Sequence, residues 1–182
     1  NDSKEVQFKV THSPSQQLEY SLALDYSYEE QQTLELVDLA FSSYRGVAIQ
    51  GARQGVGADV FWQDKRFGFR AEALGFQFDS VDSEPVELSG GFIQPSWFFQ
   101  GNRDGGLQGL IRAEAAHLDA PNPNGLGDTL YGLTLGLNWF VHPNVRLQLD
   151  AVAQHFDGPS TALGLADAQT APALLSELQF KF

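Results

Sequence analysis

Apolar and polar residues alternate with a period of two along most of this chain, and helical spacing is nearly absent. Successive side chains of a strand point to opposite sides, so this alternation predicts strands with one apolar and one polar face. Val6, Phe8 and Val10 alternate with Gln7, Lys9 and Thr11. Leu18, Tyr20, Leu22, Leu24, Tyr26 and Tyr28 alternate with Glu19, Ser21, Ala23, Asp25 and Ser27. That run is longer than the ~5–6 residues usual in soluble sheets. Val37, Leu39 and Phe41 predict a third strand, and 46–63 reads as one irregular strand in which Val56, Ala58, Val60 and Trp62 oppose Gly57, Asp59 and Phe61. Phe67, Phe69, Ala71 and Ala73 oppose Gly68, Arg70 and Glu72, and a change of phase near Leu74 predicts a bulge. Ile93, Pro95, Trp97 and Phe99 oppose Gln94 and Ser96, although Pro95 has no N–H to give a ladder. Further strands follow at Leu107–Ala115, Tyr131–Trp139 and Val145–Ala151. In the last, Leu174, Leu178, Phe180 and Phe182 share one face while Glu177, Gln179 and Lys181 share the other.

The connections alternate in length. Asp79–Leu88, Asp119–Asp128 and Asp157–Pro172 are long, whereas Gln63–Arg66, Gly101–Gly106 and His142-Pro143-Asn144 are short. Outer-membrane barrels have this arrangement, with tight turns facing the periplasm and longer loops outside. Trp62, Trp97 and Trp139, the only tryptophans, all fall near short turns, with Phe67, Phe99, Tyr28, Phe180 and Phe182 expected at the same level. A girdle at the headgroup boundary has this form. The fold expected is all-β: one closed antiparallel transmembrane β-barrel over residues 1–182, of about ten strands within a range of about eight to twelve. Both termini would lie on the periplasmic side, with Glu29–Gln32 as a further short turn and Tyr44-Arg45-Gly46 as a very tight outer loop. A soluble lipocalin-like barrel or sandwich shares the alternation but turns its apolar face inward.

Composition narrows the function. No run approaches the ~18 apolar residues of a spanning helix, which leaves spanning strands untouched. Zero cysteines exclude disulfides and thiolate chemistry, and fit an envelope protein. A net charge of −12 with 11 Lys+Arg argues against nucleic acid as a partner. The opening Asn1-Asp2-Ser3-Lys4 suits a mature terminus left by removal of a signal peptide.

Several segments resemble the phosphate-selective porin O and P family. Leu133-Thr134-Leu135-Gly136-Leu137-Asn138-Trp139-Phe140, the turn His142-Pro143-Asn144 and Val145-Arg146-Leu147 look like that family's penultimate hairpin. Gln17-Leu18-Glu19-Tyr20, Arg70-Ala71-Glu72 and Gly91-Phe92-Ile93-Gln94-Pro95-Ser96-Trp97-Phe98 are weaker matches in the same order. The closing aromatic Phe182 is similar to the assembly signal that ends outer-membrane barrels. The resemblance implies a porin of the Gram-negative outer membrane, in contact with lipid and lipopolysaccharide and able to form a homo-oligomer or larger envelope complex. The departure is length: sixteen spans of about ten residues exceed this chain, so either it is a shortened relative or intervening hairpins are absent from it, with 42–56 the junction where a missing segment would fall.

Residues expected to line the lumen are Arg70, Glu72, Arg112, Glu114, Arg146, Asp150, Glu177 and Lys181, with Glu19, Asp25, Asp38 and Asp59 also inward. Acids outnumber bases there, so the anion preference implied by the resemblance does not carry over. Arg70 with Glu72, Arg112 with Glu114, and Arg146 with Asp150 place both signs on one face. These pairs form either a constriction that orients a passing solute or an ion-pair network filling a narrow lumen. Two functions follow: a passive diffusion channel for small hydrophilic solutes or ions, or a non-conducting barrel that anchors or seals an assembly. No enzyme, metal or cofactor is expected, since His12, His117, His142 and His155 have no ligand spacing. The one catalytic arrangement left open is an inward His155 paired with an acid at the outer rim.

Overall fold

The computed structural model describes residues 4–34, 47–80, 85–119, 128–157 and 169–180. They form nine strands: β1 (Lys4–Ser15), β2 (Leu18–Leu34), β3 (Val47–Gln63), β4 (Phe67–Ser80), β5 (Val86–Asn102), β6 (Gly105–Asp119), β7 (Asp128–His142), β8 (Val145–Asp157) and β9 (Gln169–Phe180). All lie in one antiparallel sheet in chain order, and no helix occurs among the described residues. The strands run 12 to 17 residues, longer than the ~9–11 that cross hydrocarbon at a tilt.

Four tight turns join the strands at one end of the sheet, at Gln16–Gln17, Asp64–Arg66, Arg103–Asp104 and Pro143–Asn144. Connections 35–46, 81–85, 120–127 and 158–168 join them at the other. The expected alternation of connection lengths is thus observed. Local chemistry sets the tight turns. Asn102 Oδ1 accepts from the Asp104 N–H at 2.7 Å, beside Gly101 at φ 68°. The first turn has neither Gly nor Pro to mark it, and is held by Ser15 Oγ accepting from the N–H groups of Gln17 and Leu18, both at 3.2 Å.

Several expectations are corrected. Glu29–Gln32 is not a turn: β2 continues through it and pairs with β3, Glu29 opposite Gly51 and Gln32 opposite Ile49. Tyr28 therefore sits at the long-connection end, opposite Ala52, and not at the level of Trp62, which faces Leu18. The strand expected at Val37–Phe41 and the loop at Tyr44–Gly46 lie outside the described residues, and β2 pairs directly with β3. No bulge occurs at Leu74, where β4 stays in register with both neighbours. Its apolar residues change face because Leu74, Phe76 and Phe78 point inward. Pro95 lies inside the sheet, where the β5–β6 ladder passes from Ile93–Ala113 to Ser96–Leu110. Finally, β1 starts at the long-connection end and β9 finishes at the tight-turn end, so the two described ends are on opposite sides. Both edge strands run the same way, and β1 and β9 are not paired.

The outer face is apolar along the middle of every strand. On the outer face Leu24 pairs with Phe8 and Val56, Val60 with Ala71, Ala113 with Leu133, and Leu147 with Leu178. Nothing packs over these side chains among the described residues: Phe8 is 60%, Leu135 53% and Leu174 72% exposed. The buried apolar residues among those described are Phe78, Val86, Phe98, Leu110 and Leu118, all on the inner face. Phe78, Val86 and Leu118 pack with Phe76, Leu88, Ala116 and Leu130 into an inner collar at the long-connection end. Replacing Gly101 by Ala is expected to destabilise the sheet by about 1 kcal/mol or more. The left-handed φ disfavours a side chain, and an added Cβ would strike the Gly105 carbonyl. Urea unfolding of the protein in lipid vesicles measures the change.

Candidate functional site

Seven neighbouring strands, β3 to β9, contribute inner-face residues to one cleft of about 750 Å³ near the tight turns. One cleft can draw on so many strands only if the sheet curls around it. Parity sends these residues inward: Arg70, Arg112 and Arg146 alternate with the outward Phe69, Ile111 and Leu147. Arg103 reaches the cleft from the β5–β6 turn, where it donates to Gln63 Oε1 at 3.0 Å and lies over the Phe61 ring.

Two of the three expected Arg–acid pairs are in contact. Arg112 Nε donates to Glu114 Oε2 at 2.7 Å, and Arg70 Nη2 meets Glu72 Oε2 at 3.5 Å. Both guanidiniums also flank Phe92, with Arg112 3.8 Å and Arg70 5.5 Å from the ring centroid. Arg146 and Asp150 do not pair. Asp150 Oδ2 accepts from Gln148, while Arg146 Nε and Asp150 Oδ1 are buried without partners. Four residues along a strand separate the two by about 13 Å, too far for a direct bridge.

The sheet also builds a second charged group on β1 to β3. Arg53 bonds Asp25 and Glu5, each at 3.0 Å, and Lys9 Nζ meets Asp59 Oδ2 at 3.2 Å with Ser21 donating to the same carboxylate. Sequence reasoning omitted Lys9 and Arg53 from the inward cations, although their odd-numbered positions on β1 and β3 were the available signal. Glu19 and Glu177 occupy the same face, opposite Phe61 and Gln148. Asp38, Lys181 and Phe182 lie outside the described residues.

Neutral amides form the floor of the cleft, a feature not singled out from sequence. Asn138 donates to Gln108 Oε1, and Gln108 donates to Ser96 Oγ, both at 3.2 Å. Asn138 is 2% exposed and its Oδ1 has no partner. Two glycines make room here. Glu114 fills the space that a Cβ on Gly132 would take, and Asp150 with Leu110 does so at Gly136.

Trp62, Trp97 and Trp139 are all on the outer face toward the tight turns. Trp62 faces Phe69, Phe67 faces Trp97, Trp139 faces Leu147, and Phe180 faces Val145 at the same rim. The histidines take no part in the inner face. His117 Nδ1 contacts Thr129 Oγ1 at 2.9 Å and His155 Nδ1 contacts Thr170 Oγ1 at 3.2 Å, both exposed on the outer side. His155 is therefore not the inward partner of an acid. His12 stacks against outward Tyr20, and His142 lies at the tight turn before Asn144.

An apolar exterior rimmed by aromatics, around an interior of ion pairs and amides, defines a membrane protein of the β-barrel class. A soluble barrel would reverse the two faces. The chain belongs to the phosphate-selective porin O and P family, whose model matches residues 15–182. Members of that family are outer-membrane porins of Gram-negative bacteria, so this is an outer-membrane, porin-like protein. Family membership supports a channel over an enzyme and lends nothing to the non-conducting alternative. A search of curated proteins gave no match.

The two kinds of Arg–acid arrangement should separate in double-mutant cycles. Arg112→Gln with Glu114→Gln is expected to show coupling of about 0.5–1 kcal/mol, as for partly exposed pairs. Arg146→Gln with Asp150→Asn should show coupling near zero. Reversible urea unfolding in vesicles reads both.

Proposed function

We propose that the inner face lines an aqueous path across the outer membrane, through which small hydrophilic solutes and ions diffuse passively. The observation that carries this reading is that the middle of all nine strands keeps an apolar outer face, while the charged side chains there, Lys9, Asp25, Asp59, Arg70, Glu72, Arg112, Glu114 and Asp150 among them, turn inward. Family membership supports it. On this reading Arg70, Glu72, Arg112, Glu114, Arg146, Asp150 and Glu177 face the path. Trp62, Trp97, Trp139 and Phe180 meet the headgroup boundary on the periplasmic side, and the outer face contacts lipid and lipopolysaccharide. The protein acts as one transmembrane unit that can assemble with further copies.

Barrel closure is part of this proposal. In hydrocarbon an open sheet edge leaves backbone donors and acceptors unbonded at several kcal/mol each, so edges must be joined. Because β1 and β9 run the same way, a wholly antiparallel barrel has an even number of strands, these nine among them.

The inner-face residues come in rows across the sheet. The row through Phe61, Arg70, Gln94 and Arg112 is basic, and the next row, through Asp59, Glu72, Phe92 and Glu114, is acidic. Adjacent rows of opposite sign give a transverse field and little net preference for either ion. Purified folded protein should form discrete conductance steps in planar bilayers and migrate differently in detergent gels before and after heating. Absence of steps from a heat-modifiable preparation would refute the channel. Across a KCl gradient the reversal potential should be small, and Arg112→Glu should move it toward the potassium equilibrium potential. An unmoved potential would remove Arg112 from the ion path.

A further inference from the structure

The tight-turn half of the cleft carries three unsatisfied buried polar atoms, Asn138 Oδ1, Arg146 Nε and Asp150 Oδ1, on the adjacent strands β7 and β8. Buried polar atoms are ordinarily bonded, and one left bare carries an uncompensated loss of hydration. These three are two acceptors and one donor. A simple anion would satisfy Arg146 and meet the Asp150 carboxylate and the Asn138 oxygen as repelling acceptors. A cation would meet Arg146. A hydroxyl group both donates and accepts, so a solute carrying several hydroxyls can bond all three.

The surroundings favour the same chemistry. Gln108 and Gln148 line the cleft beside Asn138, with Gln108 hydrogen-bonded to it and Gln148 in cross-strand register with it. Phe140, on the same face two residues along β7, lines the cleft and packs its ring 5.6 Å from that of Phe98. An aromatic ring next to amides and a split pair of charges suits a pyranose, which has an apolar face of C–H groups and an edge of hydroxyls. Other guanidiniums of the cleft are already engaged, Arg112 by Glu114, Arg70 by Glu72 and Arg103 by Gln63.

We propose that this part of the inner face is a binding subsite for a neutral saccharide, its ring against Phe140 and its hydroxyls on Asn138, Arg146 and Asp150. The proposal deepens the channel reading and rests on it, since the solute must travel along the inner face to arrive there.

The probe is maltotriose, a neutral linear glucose trisaccharide, applied to folded protein in a zwitterionic detergent for calorimetry and in a planar bilayer for current recording. Saturable binding of about millimolar affinity is expected, with matching interruptions of the ion current. Asn138→Leu should weaken binding at least about fivefold. Asp150→Leu, at a less buried position, should do the same and guards against a folding failure of the first variant. Leu149→Ala, on the outer face, should leave binding unchanged. Conductance without saturable maltotriose binding would overturn the subsite and leave the channel standing, the bare atoms then being served by water alone. Saturable binding of inorganic phosphate in place of maltotriose would overturn it too. Maltotriose binding by a protein that conducts no ions would refute the channel and, with it, the subsite as a station on a path across the membrane.

Discussion

Each backbone N–H and C=O inside a bilayer must find its partner within the sheet, because hydrocarbon offers none. With the ladder thus compelled, the remaining freedom of each residue is which face it takes, and a slip of one residue exchanges every face. Such a slip in β3 or β4 would carry Asp59, Arg70 and Glu72 into lipid, at a cost of ~2–4 kcal/mol for a mid-depth basic residue. The register irregularities fit this constraint. They fall between His12 and Ser15, Glu29 and Gln32, Ile49 and Arg53, Phe98 and Gln100, and Phe140 and His142, all toward strand ends. At the rims water can satisfy a displaced group. In the middle of the strands the pairing is regular.

The interior inherits its character from the same rule. Charges sent inward by parity must be paired or hydrated, and the sheet offers two ways to pair them. Along one strand, residues i and i+2 share a face, which brings Arg70 to Glu72 and Arg112 to Glu114. Across strands, long side chains reach past a neighbour, as Lys9 on β1 does to Asp59 on β3. Glycines at 132 and 136 then decide how deeply the carboxylates can settle against the wall. The result is a lower interior of charges and amides beneath an apolar collar of Phe78, Val86 and Leu118.

Parity was legible in the sequence because alternation needs only one strand to be read. Trp62, Trp97 and Trp139 could be placed at one rim, and Arg112 beside Glu114, without knowing any strand partner. What failed depended on partners or on the rule that apolar means outward. The change of phase near Leu74 suggests a bulge in the sequence because Phe76 and Phe78, in the inner collar, break that rule. Glu29–Gln32 reads as a turn when an even strand count is assembled from the sequence alone, because the pairing of β2 with β3 is not visible there. Arg53 with Glu5, and the Asn138–Gln108–Ser96 chain, are cross-strand contacts set by register, which no single strand reveals.

Net charge and local charge part company in such a protein. The chain carries −12 overall, yet along the inner face of β4 to β9 and the β5–β6 turn Arg70, Arg103, Arg112 and Arg146 stand with Glu72, Glu114, Asp150 and Glu177, of which Glu114 and Asp150 are the acids that line the cleft. Acids outside the cleft include Asp79, Glu87 and Asp119 near the long connections and Asp64 and Asp104 at the tight turns. Exposed charges at that distance are screened within a Debye length of about 8 Å at physiological salt. A solute midway along the inner face therefore responds to the rows beside it and hardly to the rims. Composition could argue against nucleic acid as a partner, but selectivity is a property of register, since register decides which guanidinium stands next to which carboxylate.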